Sequence, residues 1–208
     1  MFRNRSRLIA LEIAVLLAFV ISLTVQTASF YRGCEDLYRN MLRLHVIANS
    51  DAAEDQRLKL LVRDTVLREG EAIFDGSADV QSAKEKLTPH FAALERAAER
   101  TLRENGCADS VRISLERTYF NTRTYGEWTV PAGTYEAVCV RIGDGAGRNW
   151  WCVMYPPLCL PAAGAPTDAV FSKDGQAVLG SDPHYDVRFK IVELAQSAKA
   201  KLHKPTKS

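Results

Sequence analysis

The segment Asn149–Cys159 constrains the fold of this 208-residue chain more than any other, because it joins strand-forming residues to an obligatory stop. It reads Asn-Trp-Trp-Cys-Val-Met-Tyr-Pro-Pro-Leu-Cys. Its aromatic and β-branched side chains predict a strand that runs from Asn149 to Tyr155. Pro156 and Pro157 must end that strand, since proline has no N–H to donate to a neighbouring strand.

Both faces of this strand are expected to be covered. Alternation places Trp151 and Val153 on one face and Trp150 and Cys152 on the other. Because aromatic residues are mostly buried, we interpret the segment as a core strand with a rigid exit. The alternative is that one tryptophan and the Pro-Pro turn form a partner-binding edge.

Residues 1–29 have the pattern of a signal peptide or a signal anchor. Three arginines precede an apolar run over residues 8–25, which is interrupted only by Glu12, Ser22 and Thr24. Residues 26–29 offer small side chains but no clean Ala-x-Ala site, so both cleavage and anchoring stay open. The leading arginines place everything after residue 30 outside the membrane. Residues 30–41 are interpreted as a linker or a short helix.

The positive net charge of +2 belongs to this N-terminal segment. After residue 30 the chain has equal numbers of basic and acidic residues. A nucleic-acid or anionic-membrane binder would concentrate positive charge on its folded part. The charge distribution therefore argues against both classes of binder.

Periodicity predicts an α+β domain over residues 42–160, followed by a loop and a C-terminal amphipathic helix with a basic tail over residues 161–208. The order β-α-α-β-(β)-β-β-α, with hairpin-like links between the late strands, favours a mainly antiparallel sheet with helices packed on one face. The predicted strands cover residues 42–47, 111–117, 134–142 and 149–155, and the predicted helical regions cover 51–74, 80–104 and a stretch from 187.

Two local details follow from the same patterns. Asp51 and Glu54 have the spacing of a capping box at the start of the first helix. In the first strand, Arg43 and His45 alternate with apolar residues, so we expect these two side chains on a solvated face.

Five cysteines can form disulfides outside the membrane, and two bridges compete for Cys152. One bridge links Cys152 to Cys159 across the Pro-Pro turn. The other is cross-strand: if Ile142 pairs with Asn149 around a glycine-rich hairpin loop, the same register sets Cys139 opposite Cys152. Spacing alone does not choose between the two bridges.

The sequence contains no motif that predicts catalysis, a metal or a cofactor. Its four histidines are scattered without paired spacing, which argues against a zinc site. Glycine-rich residues 143–147 open a strand and not the helix that a phosphate loop requires. The rival interpretation is a secreted cysteine hydrolase acting on cell wall or peptide, with Cys159 as nucleophile and His45 or His184 as base. Since secreted cysteines are more often oxidised than catalytic, we predict that the chain is not an enzyme.

Long motifs in the chain closely resemble those of the stage II sporulation protein R family. The resemblance covers about residues 42–160, with a weaker echo at 187–193. Cys34, Cys107 and Cys139 depart from the family pattern. The motifs are Leu42-Arg-Leu-His-Val-Ile-Ala-Asn-Ser-Asp51, Glu54-Asp55-Gln56, Lys59 to Asp64, Tyr125-Gly126, Pro131-Ala-Gly-Thr-Tyr-Glu-Ala137 and the segment Asn149–Cys159.

This resemblance implies a secreted signalling protein of endospore formation. Such proteins are made in the forespore and exported into the space between the forespore and mother-cell membranes. There they activate a membrane-embedded aspartic protease of the mother cell, which processes the pro-sequence of an early sigma factor. The implied role is intercompartmental communication, with that protease as the partner on its extracytoplasmic side. Residues 8–25 would either direct secretion or serve as a membrane anchor.

The motifs also supply a candidate partner-binding surface, because rigid aromatic and proline side chains lose little entropy on binding. The resemblance favours a Cys152–Cys159 disulfide, since the family motif includes both of these cysteines and not Cys139. The residues of the predicted surface are Asn49, Ser50, Asp51, Trp150, Trp151, Tyr155, Pro156 and Pro157.

Overall fold

The computed structural model describes residues 2–156, 170–181 and 187–202. Pro157, Cys159 and the first part of the predicted loop after residue 160 lie outside these ranges. The helices are α1 (Phe2–Asn40), α2 (Ala53–Phe74), α3 (Val80–Leu87), α4 (Phe91–Glu104), α5 (Lys173–Leu179) and α6 (Val187–Leu202), with a 3-10 turn at Thr88–His90. The strands are β1 (Leu42–Ile47), β2 (Val111–Phe120), β3 (Arg123–Tyr125), β4 (Trp128–Val130), β5 (Gly133–Ile142) and β6 (Asn149–Tyr155).

Four of the strands form a central sheet in the order β2-β5-β1-β6. β1 is parallel to β5 and antiparallel to β6, and β2 is antiparallel to β5. β3 and β4 pair with each other as a separate hairpin. The parallel β1–β5 pair is possible because α2, α3, α4 and β2 supply the long crossover that parallel strands require. The predicted α+β fold with a mainly antiparallel sheet is confirmed.

The predicted hairpin between the last two long strands is wrong. β1 lies between β5 and β6, and Ile47 is opposite Arg141 on one side and Asn149 on the other. The loop between β5 and β6 therefore passes over the end of β1. Glycine suits this crossing as well as it suits a tight turn, because Gly143 and Gly145 both adopt positive φ.

β1 is buried on both faces, although its alternating pattern predicted a half-buried strand. Arg43 is 0% and His45 is 7% exposed. The expectation that these two side chains face solvent is therefore wrong. The alternating pattern misleads here because a second layer of structure covers the face that carries them.

Helices cover both faces of the sheet. α2, α3 and α4 form one helical layer, which packs on the face of the sheet that carries Leu44 and Val46. The opposite face packs against the last part of α1 through Phe30, Cys34 and Leu37, and also against residues of α5 and α6. The prediction of helices on one face describes the first layer and omits the second. α5 itself lies within a stretch that was predicted as a loop.

α1 combines two roles in one continuous helix. Residues 9–40 contain a window of mean hydropathy 2.3, which is long and apolar enough to cross a membrane. Residues 30–40, interpreted as a linker or a short helix, continue the same helix into the second core. Their buried positions follow the i, i+4, i+7 spacing of one helical face, which is why they dock on the sheet.

The start of α2 corrects the prediction of a capping box at Asp51. Ala52 is the N-cap of α2 and makes no side-chain cap. Asp51 instead accepts the backbone N–H of Arg148 at 2.8 Å, so its carboxylate serves the loop between β5 and β6. A capping box does occur at α3, where Asp79 and Ser82 bond reciprocally.

Candidate partner-binding surface

The predicted surface residues are divided between the two ends of β6. Asn149 is opposite Ile47, so Trp150 and Trp151 lie at the same end of the sheet as the corner that follows β1. Tyr155 lies at the other end, six residues along a strand that rises about 3.3 Å per residue, or roughly 20 Å away. Those of the eight residues that the structure describes, all but Pro157, therefore do not form one continuous surface.

The far end of β6 is part of the core. Tyr155 is 7% exposed, its ring meets Phe74 edge to face, and its hydroxyl donates to the carbonyl oxygen of Ser77 at 3.1 Å. Pro156 is also buried and follows a cis peptide bond. These two residues stabilise the exit of the strand, as the core-strand interpretation predicted.

The corner after β1 holds the loop that crosses over it. Asn49 accepts two backbone N–H groups of the loop, from Asp144 at its side-chain oxygen (3.0 Å) and from Ala146 at its carbonyl oxygen (3.1 Å). Asp51 accepts the N–H of Arg148, as described above, and Ser50 donates to Asp55 Oδ2 at 2.6 Å. The corner residues thus position the loop and the start of β6.

Trp150 is the exposed aromatic residue of this corner. It is 37% exposed, and the Arg63 guanidinium of α2 lies 4.4 Å from the centroid of its ring. Lys59 connects α2 to the loop between β5 and β6, because its Nζ donates to the carbonyl oxygen of Arg148 at 3.0 Å. We call Asn49, Ser50, Asp51, Arg63 and Trp150 the Trp150 corner. It offers a rigid apolar ring beside a cation and an acid, which can bind a mixed apolar and charged protein surface.

Trp151 lies on the opposite face and is half-buried. Its ring stacks on His45 at 3.8 Å between centroids and meets Phe120 edge to face at 4.8 Å. His45 Nε2 is 2.9 Å from the Asn149 side-chain oxygen. Burial lowers the pKa of His45, so the neutral imidazole is the form that stacks at neutral pH. The predicted alternation of Trp150 and Trp151 across the two faces is confirmed.

The buried side chain of Arg43 connects several residues on the face of the sheet that carries Trp151. Its Nε donates to the carbonyl oxygen of Cys152 at 2.8 Å, and one terminal nitrogen donates to the Tyr125 hydroxyl at 2.8 Å. The guanidinium carbon lies 4.1 Å from the ring centroid of Phe120 and 5.1 Å from that of Tyr135. Burial lowers the pKa of Arg43, and the two tyrosines oppose this shift. A guanidinium tolerates such a site because it stacks on rings and is weakly hydrated.

Tyr125 links Arg43 to strand β6. Its hydroxyl accepts from Arg43 and donates to the carbonyl oxygen of Trp151 at 3.1 Å. The β3–β4 hairpin is thereby fastened to β6. We call Arg43, His45, Phe120, Tyr125, Tyr135 and Trp151 the arginine–aromatic cluster.

Sequence reasoning missed most of this cluster as a site. Arg43, His45 and Tyr125 all belong to motifs that carried the family resemblance, so a signal was present in two separate segments. Nothing in the sequence indicated that these segments meet, because the strands that bring them together are distant in the chain. Arg63 also lies in one of these motifs, Lys59 to Asp64, but its place on the polar face of a helix gave no indication of a contact with Trp150.

The cross-strand disulfide between Cys139 and Cys152 is excluded by the strand order. Cys139 is opposite His45, Cys152 is opposite Leu44, and β1 separates the two cysteines. Cys139 is a buried free thiol. The Cys152–Cys159 bridge stays a prediction, since Cys159 lies outside the described residues.

The contact between Cys139 and His45 does not resemble an activated cysteine–histidine pair. Cys139 Sγ lies 3.7 Å from His45 Nδ1, and both side chains are buried. Burial raises the pKa of the Cys139 thiol and lowers that of His45, whereas a nucleophilic thiolate needs the opposite shifts. Within the described part of the chain, no group of three or more metal-ligating side chains occurs.

Comparisons with known proteins agree with the motifs. A family model described as Stage II sporulation protein R (spore_II_R) matches residues 38–164. A curated protein named Stage II sporulation protein R, from Bacillus subtilis (strain 168), is 35% identical over 119 residues. That alignment covers 57% of this chain and 53% of the relative, so the match spans about half the length of the relative. No solved structure matches. The matched range contains both the Trp150 corner and the arginine–aromatic cluster.

Proposed function

Because the chain belongs to the stage II sporulation protein R family, we propose that it is the exported signal of endospore formation that activates a membrane-embedded aspartic protease. In this proposal the chain acts from the forespore side of the intermembrane space. The protease of the mother cell then processes its pro-sigma factor. The chain is the ligand in this reaction, and the protease supplies the chemistry.

The apolar helix α1 supports the export step. It has the length and hydropathy of a signal or anchor segment and lies at the N-terminal end of the chain. Three arginines precede its apolar run, so the domain that follows would lie on the far side of the membrane. The neutral charge of the remaining chain suits a domain that meets a protein partner more than a nucleic acid.

The exposed ring of Trp150 is the observation that carries the proposed contact. It lies where the corner after β1, the crossing loop and α2 converge, and each of these is held by side-chain or backbone hydrogen bonds. A tryptophan held rigidly at the surface loses little entropy when a partner covers it. Large aromatic side chains of this kind carry much of the energy of protein interfaces. We therefore place the protease on the Trp150 corner.

Reconstitution in a non-sporulating host tests the proposal. The full chain, or a form lacking residues 1–28, would be co-produced with the candidate protease and its pro-sigma substrate. We expect processing of the pro-sigma factor only with the exported form, because the protease is contacted from its extracytoplasmic side. Absence of processing with a folded, exported chain would refute activation of that protease. Equal processing with the cytoplasmic form would refute the proposed side of contact.

A further inference from the structure

Helix α5 packs along the part of α1 that emerges from the apolar run. Side chains from the two helices bond reciprocally. Asp174 of α5 accepts from Ser29 Oγ at 2.6 Å and from Arg32 Nε at 3.1 Å. Asp36 of α1 accepts both the N–H and the hydroxyl of Ser172, each at 2.8 Å. We call these five residues and Gly33 the α1–α5 clamp.

Gly33 lets the two helices approach closely. A Cβ at this position would overlap the carbonyl oxygen of Asp174 and lie 2.7 Å from Val178 Cγ2. The adjacent positions Phe30 and Cys34 are buried in the second core. Residues 29–37 of α1 are therefore held on one side by α5 and on another by the sheet.

The clamp begins at residues 26–29, where small side chains follow the apolar run as they do at signal-peptide cleavage sites. Residues 26–29 read Gln-Thr-Ala-Ser, and Ser29 is itself a clamp residue. A protease that cuts within a folded element acts on the fraction of molecules in which that element has opened. Holding Ser29 and Arg32 against Asp174 keeps this stretch in the helix, and so keeps that fraction small.

We propose that docking of α5 on α1 protects residues 26–29 from cleavage, so that the exported domain stays tethered by its own N-terminal helix. The apolar run ends at residue 25, and Phe30 is the first buried residue that follows it. Five helical residues span about 7.5 Å at 1.5 Å per residue. The domain is consequently held against the bilayer surface by a helix and not by a flexible linker. This inference is independent of which receptor the chain activates.

The experiment separates recognition of the site from protection by the clamp. Gln26→Ala creates Ala-Thr-Ala, a good cleavage sequence, in a chain whose clamp is intact. Gln26→Ala with Asp174→Asn removes the carboxylate that holds Ser29 and Arg32. A third variant adds Gly33→Ala, which forces α5 away while it favours helix in α1 itself. Gln26→Ala with Lys173→Gln is the matched control, since Lys173 is an exposed residue of the same helix.

Full-length chains would be exported from a bacterium that contains a signal peptidase, and the membrane and soluble fractions compared by size and N-terminal sequence. We expect wild type, Gln26→Ala and the Lys173→Gln control to stay full length in the membrane fraction. The Asp174→Asn variant should release about tenfold more soluble domain, and the Gly33→Ala combination at least as much.

Two results would overturn the proposal. Complete release from Gln26→Ala alone would mean that cleavage precedes docking of α5. Equal retention of all variants would mean that the clamp is not what protects the site. If the Gly33→Ala combination fails to accumulate, the Asp174→Asn variant decides by itself, because it preserves the shape of the side chain.

Discussion

Arg43 is a buried cation that contacts aromatic rings, a carbonyl oxygen and a tyrosine hydroxyl. Burying a charge is expensive, and here the cost is offset by hydrogen bonds and by ring faces that carry partial negative charge. The same side chain connects β1, β6 and the β3–β4 hairpin. Its role is to position Trp151 and the hairpin, and it touches no partner because it is fully buried.

Arg43→Lys should therefore destabilise the fold. Lysine keeps the charge but loses the planar fork that binds two oxygens and stacks on rings, so we expect a loss of about 2 kcal/mol. Urea unfolding of the form lacking residues 1–28 measures this change. Arg123→Lys, at an exposed position of the β3–β4 hairpin, is the control and should change stability little. Equal stability of the two variants would show that the buried contacts contribute nothing.

His45 should make stability depend on pH near neutrality. Its pKa is lowered in the folded chain by burial, so below the ordinary value of about 6.5 the unfolded chain binds the extra proton first. Stability should consequently fall as pH decreases from 7.5 to 5.5. His45→Gln should flatten this profile, and His90→Gln, at an exposed position, should leave it unchanged. A wild-type profile that is flat over this range would contradict the assignment.

Trp150 and Trp151 should respond differently to truncation. Trp150→Ala removes an exposed ring, so we expect a folded chain with protease activation lost. Trp151→Ala removes a ring stacked on His45 and Phe120, so we expect about 2–3 kcal/mol of destabilisation in addition. Tyr31→Ala, an exposed aromatic outside the corner, is the control for activation. Full activation by a folded Trp150→Ala chain would remove Trp150 from the proposed contact.

At the scale of elements, the two edges of the sheet differ: side chains occupy backbone groups of one edge, and the proposed contact lies at the other. β2 lies at one edge, and the backbone N–H groups of Val111 and Ile113 donate to the α4 carboxylates of Glu99 and Glu95 at 3.2 and 2.8 Å. These bonds occupy groups that could otherwise pair with another chain. β6 lies at the other edge and begins at the Trp150 corner. The partner is therefore expected at the β6 side of the sheet.

The Pro-Pro exit of β6 carries the predicted disulfide. Because Cys139 is a free thiol two strands away, it does not compete for Cys152. We expect a non-reducing peptide map of the exported chain to contain the Cys152–Cys159 linkage. Finding these two cysteines alkylated and unlinked under the same conditions would disprove the bridge. Chain produced without export provides the reduced reference.

At the scale of the whole molecule, α1 joins the apolar N-terminal segment to the folded domain as one continuous helix. Phe30, Cys34 and Leu37 each lie in the second core, and burying a Phe or Leu side chain contributes about 1.5–3 kcal/mol, with a further contribution from the smaller cysteine. Their sum is comparable to the total stability of an ordinary domain, about 5–15 kcal/mol. The domain boundary relevant to stability is therefore at the start of this buried stretch.

Two truncations test this boundary. A chain that starts at residue 29 should unfold cooperatively, because it keeps the whole buried part of α1. A chain that starts at residue 42, where the sequence predicted the domain to begin, should fail to fold or expose apolar surface. Circular dichroism and binding of a hydrophobic dye distinguish the two states. Equal cooperativity in both would mean that α1 is dispensable for the fold.

The sequence by itself determined the elements that depend on local patterns. The α+β class, the strands at residues 42–47 and 149–155, the apolar N-terminal helix and the family could all be predicted, because periodicity and consecutive motifs are properties of neighbouring residues. The alternation that set Trp150 and Trp151 on opposite faces was likewise predictable from the pleat of a strand. The spacing of Phe30, Cys34 and Leu37 along one helical face is also a property of neighbouring residues, but it does not indicate what that face packs against.

Only the tertiary structure decided which strands are neighbours. Inserting β1 between β5 and β6 excluded the Cys139–Cys152 bridge and gave Asp51 a loop to hold in place of a helix, and the second layer of structure buried Arg43 and His45. These outcomes depend on contacts between segments about a hundred residues apart, and local propensity contains no information about such pairings. The site is therefore a product of topology, assembled from motifs that the sequence lists separately.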